Sequence, residues 1–152
     1  MPTRKPTVLF LCYDNSARSP LAEALLRHRA GDRFTCCSAG LVPKPVHPLV
    51  RDVLCEIGVQ PGELVSKRLR GFLGHAGIRF AILLRTPDET GAPRIFPFAT
   101  RTVRWDVPDP RCEGLSRDEA LAALRRTRDD VHARLRAWLE HLEPVASRSS
   151  AA

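Results

Sequence analysis

The sequence predicts an α/β fold: a parallel sheet with helices on both faces. Two observations point there. Short apolar runs of strand length alternate with stretches of helical period along the chain. One of those runs, Ile78 to Leu84, is apolar almost throughout, the pattern of a strand covered on both sides. A length of 152 residues suits one domain over residues 1–152, with a core over about 6–143.

The elements follow in order. Thr7 to Leu11 reads as the first strand and ends at Cys12, followed by the polar loop Tyr13-Asp14-Asn15-Ser16-Ala17-Arg18. Ser19-Pro20 then opens a helix over Leu21 to Arg29, because proline suits a first turn where its missing N–H is no loss. Gly31 closes it. Phe34 to Ser38 reads as a second strand, and Ala39-Gly40 starts a proline-rich loop. Leu49, Val50, Val53, Leu54 and Ile57 repeat with helical period, with Gly58 as the stop. Residues 66–73 suggest a short basic helix, and residues 85–97 an irregular loop. Thr102 to Val107 is the fourth strand candidate. Ser116 and Glu119 form a capping box that opens a helix to about Leu142. Residues 144–152 are small and polar, and a flexible tail is expected there.

Composition removes several classes. No apolar run approaches the roughly 20 residues of a membrane span, and the N-terminus lacks the apolar core of a secretory signal. A cytoplasmic protein is therefore expected. Five cysteines, Cys12, Cys36, Cys37, Cys55 and Cys112, form no Cys-x-x-Cys pair, so neither a disulfide framework nor a zinc site is expected. The charge of +7 comes mostly from arginines spread along helices, which read as solvated faces. Basic residues interleaved with exposed aromatics are lacking, so no nucleic-acid partner is expected. Cys36, Cys37 and Cys55 stand in apolar contexts and are expected to be buried.

The segment VLFLCYDNSARSPLAEALL carries the chemistry. A cysteine ends a strand, an arginine follows six residues later, and a helix begins beside it. A loop of that length can turn backbone N–H groups of Tyr13 to Arg18 toward one centre, an anion-binding nest. The helix N-terminus adds positive partial charge there, and Arg18 can close the ring with bidentate hydrogen bonds to a tetrahedral anion. The same field should depress the Cys12 thiol from about 8.5 toward roughly 3.5–7.5. Ser19 can donate its hydroxyl to the sulfur. Cysteine chemistry on a phosphate ester also needs a proton donor for the leaving oxygen. In TVRWDVPDPRCEG, Asp109 stands between two prolines in a stiff loop after a strand, with Asp106 as the competing carboxyl.

These motifs together resemble the low-molecular-weight protein tyrosine phosphatase superfamily, and especially its thioredoxin-type arsenate reductase branch. The likeness runs from the Cys-x5-Arg-Ser loop through Ser38-Ala39-Gly40, His47-Pro48 and Asp109-Pro110 to the last helix. It implies a three-layer sandwich with a central four-stranded parallel sheet, the low-molecular-weight phosphatase fold. It also implies Cys12 as nucleophile, Arg18 as oxyanion ligand, Ser19 as thiolate stabiliser, Asp109 as general acid and Asn15 as the loop-shaping residue. No cofactor or metal is implied. Two positions depart from the pattern. Arg85 and about Pro93 stand where thioredoxin-coupled reductases carry two further cysteines. Arg111 stands where the phosphotyrosine branch carries a tyrosine after Asp-Pro.

The expected activity is phosphate monoester hydrolysis, phosphotyrosine-like, through a phosphocysteine. The alternative is arsenate reduction through a Cys12–arsenate adduct. That adduct would be resolved by Cys112 or by an external thiol: glutathione, mycothiol, or a thioredoxin or glutaredoxin. A non-catalytic oxyanion or phosphoprotein-binding module is the third class.

Overall fold

The structure, a computed structural model, describes residues 5–68, 77–85 and 99–151, with those from 143 onward described by backbone alone. Four parallel strands, β1 (Thr7–Cys12), β2 (Thr35–Gly40), β3 (Ile78–Leu84) and β4 (Ala99–Trp105), lie in the order β2-β1-β3-β4. Among the described residues three helices accompany them: α1 (Arg18–Ala30), α2 (Leu49–Cys55) and α3 (Arg117–Ala151). The four-stranded parallel α/β sheet expected from the sequence is present. Its two inner strands, β1 and β3, are the most apolar runs in the chain, as burial on both faces requires.

Alternation along the strands sends side chains to two buried layers. Val8, Phe10, Cys12, Phe80, Ile82 and Leu84 join the larger core with Leu21, Leu25 and Leu26 of α1, Val50, Val53 and Leu54 of α2, and Leu124, Val131 and Leu135 of α3. Leu9, Leu11, Ala39, Ile78, Ala81 and Leu83 form the opposite layer, equally buried. All three described helices thus pack on one face. On the packed side, Trp138 meets the Phe80 ring edge-on, with centroids 5.1 Å apart. Arg125 and Arg128 both grip Glu56 just beyond α2, docking α2 on α3. The hydrogen bond from Arg125, then that from Arg128 and the charge of both, lower the Glu56 carboxyl to about 2.

Several expectations shift. Helix α1 begins at Arg18, one residue before the serine read as its start, and the Ser19 hydroxyl is not a cap. β4 ends at Trp105, and Val107 is buried in the loop beyond, its N–H donating to Trp105 O. Residues 66–68 are not helical: Arg68 makes an isolated parallel bridge with Gly40, while the remainder of that expected helix and the loop over 86–97 lie outside the described residues. Helix α3 runs to Ala151, beyond the end near Leu142 expected from the sequence. Once nucleated, a long helix adds a hydrogen bond per residue at little cost. Cys55 is exposed and Cys36 and Cys37 are half-buried, not interior. Cys55 ends the short α2, and the other two lie on an edge strand. Among the described residues no helix is long and apolar enough to cross a membrane, and no cluster of histidine, cysteine and carboxylate side chains suits a metal.

Candidate active site

Cys12 is the last residue of β1, and the turn that follows is set by where its carbonyls go. Tyr13 O accepts from Val42 N (3.0 Å), Asp14 O from Lys44 N (2.9 Å) and Ser16 O from His47 N (2.9 Å). These donors belong to the proline-rich loop after β2, so those carbonyls point outward. A trans peptide places its N–H opposite its C=O, which turns the amides of Asp14, Asn15 and Ala17 inward. The Asn15 amide duly donates to Cys12 Sγ at 3.2 Å. The Ser16 amide is engaged otherwise, donating to Asp14 Oδ1 at 3.1 Å. Asn15 adopts a left-handed backbone, φ 54°, which asparagine tolerates better than most residues.

Gly40, at the end of β2, lies directly under this turn. A Cβ there would stand 2.7 Å from Asn15 N and 2.8 Å from Asp14 C, backbone atoms that cannot swing aside. Gly40→Ala is therefore expected to push the loop off its amide geometry. Turnover should fall about 10- to 100-fold, in line with the cost of small misplacements at a reacting centre. Steady-state kinetics beside a thermal melt check this.

The side chains of the loop are buried: Asn15 and Ser19 fully, Arg18 to 2% exposure, Cys12 to 6%. Ser19 Oγ lies 2.9 Å from Cys12 Sγ. Asn15 Nδ2 donates both to Ser19 Oγ (2.7 Å) and to Ser38 Oγ (3.0 Å), while its Oδ1 accepts from Lys67 N at 2.7 Å. Arg18 Nη1 donates to Val107 O at 3.0 Å, tying the loop to the segment that carries Asp109. Tyr13, 43% exposed, points its ring to solvent.

Burial pushes the Cys12 thiol above its ordinary value, and this outweighs the Ser19 hydroxyl, the Arg18 charge and the Ser19 amide, which pull it down. Asp14 adds a smaller upward push. A thiol depressed below neutrality, expected from charge alone, left out that desolvation. The sign for Ser19 is clear: removing its hydroxyl removes a downward influence. In Ser19→Ala the pH midpoint of Cys12 alkylation should rise by about one unit, the size of one charge-assisted hydrogen bond.

Above the loop lies a cleft of about 630 Å³, walled by Asp14, Ser16 and Ala17 on one side and by Asp109, Pro110 and Cys112 on another. Lys44 and Glu113 also border it and pair across it at 3.3 Å. Asp109 is exposed, and its Oδ1 accepts from Arg111 N at 3.1 Å, a tight turn with Arg111 at φ 47°. Asp106 instead pairs with Arg104 at 3.2 Å and is not a wall of this cleft. Cys112 is half-buried, and burial, then Asp109, push its thiol up.

A family model described as low-molecular-weight phosphotyrosine protein phosphatase matches residues 7–76. The arsenate reductase of Halalkalibacterium halodurans is 30% identical over 138 residues, covering 90% of this chain and 96% of that protein. The chain belongs to the low-molecular-weight phosphotyrosine protein phosphatase family. Relatives named as arsenate reductases and as tyrosine phosphatases are both enzymes of this family. The fold agrees with an arsenate reductase in a phosphate-binding state (TM-score 0.74, 24% identity, 90% of this chain and 98% of that one). It also agrees with the tyrosine phosphatase Wzb from Escherichia coli K30 in complex with sulphate (TM-score 0.69, 20% identity, 91% and 99%).

Sequence reading alone missed Glu23, Ser38 and Lys67. The one visible signal for Glu23 is a carboxylate inside the Ala- and Leu-rich stretch LAEALL. Ser38 was legible only as part of a turn, and Lys67 only as part of a basic run.

Proposed function

We propose that this family member hydrolyses phosphate monoesters through a phosphocysteine on Cys12. What supports this most is the ring of inward amides and the buried Arg18 around one sulfur. The amides of Asp14, Asn15 and Ala17 and the guanidinium donate to the non-bridging oxygens, where charge must be held in the transition state. Burial favours the protonated thiol, and a phosphate ester dianion in the loop is a base within reach. The proton passes from sulfur to a phosphoryl oxygen with no change in net charge. The thiolate attacks phosphorus in line, the ester P–O bond breaks, and the Asp109 carboxyl protonates the leaving oxygen. The Asp109 carboxylate then takes a proton from water. That water attacks phosphorus, the P–S bond breaks, and the Ser19 hydroxyl receives the returning thiolate.

Asp109→Ala tests the acid. Phenyl or alkyl phosphate hydrolysis should fall about 10²- to 10⁴-fold, the usual worth of a general acid. Formation of the phosphocysteine from p-nitrophenyl phosphate, whose leaving group needs no proton, should fall far less. Equal losses for both would place the acid elsewhere.

A second reading, arsenate reduction, is favoured by the relative from Halalkalibacterium halodurans, which is named an arsenate reductase. Cys12 would displace hydroxide from arsenate, forming an S–As(V) bond. A second thiolate would attack the Cys12 sulfur, the S–As electron pair would pass to arsenic, and arsenite and a disulfide would result. Cys112, which lines the cleft, would be the protein thiol for this step. Glutathione, mycothiol or a thioredoxin would supply the reducing electrons. Arsenite formation without ester hydrolysis, lost in Cys112→Ser, would establish this reading over the first. Turnover of neither substrate would leave an oxyanion-binding module.

A further inference from the structure

Arg111 is exposed and lines the cleft above the Cys12 loop. Its backbone sits at φ 47°, in a turn closed by its own amide donating to Asp109 Oδ1 at 3.1 Å. Among the described residues its guanidinium makes no ion pair or hydrogen bond. The other charged groups of the cleft are engaged. Asp14 Oδ1 accepts from the Ser16 amide and hydroxyl, at 3.1 and 2.7 Å. Lys44 and Glu113 pair with each other at 3.3 Å. His47 Nδ1 accepts from Leu49 N at 3.1 Å. In the proposed reaction Asp109 meets the ester protonated and neutral, and Arg18, sealed below, serves the phosphoryl group. One positive charge, that of Arg111, is left over at the mouth.

We propose that Arg111 selects phosphate monoesters whose leaving group carries a second negative charge. The inference rests on the hydrolase reading and deepens it by naming the class of substrate. Position supports it as well as charge. The Asp109 carboxyl must reach the ester oxygen to protonate it. Arg111 follows two residues later, at most about 7 Å along the backbone, so whatever is bonded to that oxygen passes within reach of its long side chain. Lys44 holds the opposite rim, its amide donating to Asp14 O at 2.9 Å. By pairing with Glu113, its ammonium neutralises a carboxylate that would otherwise repel the same anion. No phenylalanine, tyrosine or tryptophan among the described residues lines the cleft; its apolar walls are Pro45, Val46, Pro48 and Pro110. Charge therefore offers more discrimination between leaving groups here than ring stacking does.

Binding is read first, by calorimetry, with two arylphosphonates that cannot be hydrolysed: para-carboxyphenylphosphonate and its neutral para-carbamoyl counterpart. Arg111 is exposed, so the wild type should bind the carboxylate about three- to five-fold more tightly at low salt, and high salt should erase the difference. Arg111→Gln should erase it at low salt, Arg111→Glu should reverse it, and Arg111→Lys should retain most of it. The matching phosphate esters carry the comparison into turnover. The ratio of kcat/KM, carboxylate over carboxamide, should drop by the same factor in Arg111→Gln, through KM rather than kcat. The carboxamide withdraws electrons more strongly, so leaving-group ability cannot create a preference for the carboxylate.

Thermal melts establish folding of each variant, and the wild-type comparison at low and high salt needs no variant at all. Equal wild-type affinities for the two phosphonates would overturn the proposal. So would a preference unmoved in folded Arg111→Gln, or one lost as completely in Arg111→Lys as in Arg111→Gln. A carboxylate preference in binding with no turnover of either ester would instead refute the hydrolase reading and leave the selectivity of the cleft standing.

Discussion

Cys12→Ser is expected to lose phosphate ester hydrolysis by at least ~10⁴-fold, the scale on which removing a catalytic nucleophile acts. A serine hydroxyl fits the place of the thiol, and the amides of Asp14, Asn15 and Ala17 stay where their carbonyl partners in the loop after β2 hold them. Anion binding should therefore survive. Inorganic phosphate should still protect the variant against thermal unfolding while turnover vanishes. Separating binding from chemistry in this way locates the loss at the sulfur. Retained turnover, or loss of phosphate protection with the fold intact, would each count against the assignment.

Replacement of Arg18 has the second largest expected effect, and two variants divide its roles. The residue is 2% exposed, and one guanidinium nitrogen is spent on Val107 O, anchoring the segment before Asp109. Arg18→Ala removes the proposed oxyanion donor and that anchor together, and hydrolysis should fall at least ~10²- to 10³-fold. It also removes a positive charge that pulls the Cys12 thiol down, so the alkylation midpoint should rise. Arg18→Lys keeps the charge but not the planar fork. Its midpoint should move less than that of Arg18→Ala, while turnover remains strongly reduced. A lysine variant with near-native kinetics would show that charge alone suffices and that the two-pronged geometry is dispensable.

The sheet was legible because its inner strands must be apolar on both faces, and Val8 to Leu11 and, but for Arg79, Ile78 to Leu84 read as apolar runs for that reason. Boundaries were less so. Val107 looked like part of the fourth strand because it is apolar, yet it is buried as a loop residue beside the site. Ser19 looked like a helix start because serine before proline often is one; here its hydroxyl serves Cys12 instead. The loop of Cys12 to Arg18 could be read from spacing, since strand end, arginine and helix start constrain one another locally. The network through Glu23, Ser38 and Lys67 could not. Its members lie on α1, β2 and the 66–68 segment, and only tertiary packing brings them together. The thiol's burial was hidden for the same reason: neighbouring charges can be counted along a sequence, but desolvation depends on what closes over the sulfur.

The most direct measurement is covalent trapping. Asp109→Ala should form the phosphocysteine from p-nitrophenyl phosphate readily but, lacking a base to activate water, break it down slowly. Acid quenching followed by peptide mass spectrometry should find one phosphoryl group on the peptide that contains Cys12, and none on that peptide in Cys12→Ser. A phosphoryl group on any other residue, or p-nitrophenol released over many turnovers with Cys12 unmodified throughout, would contradict the account.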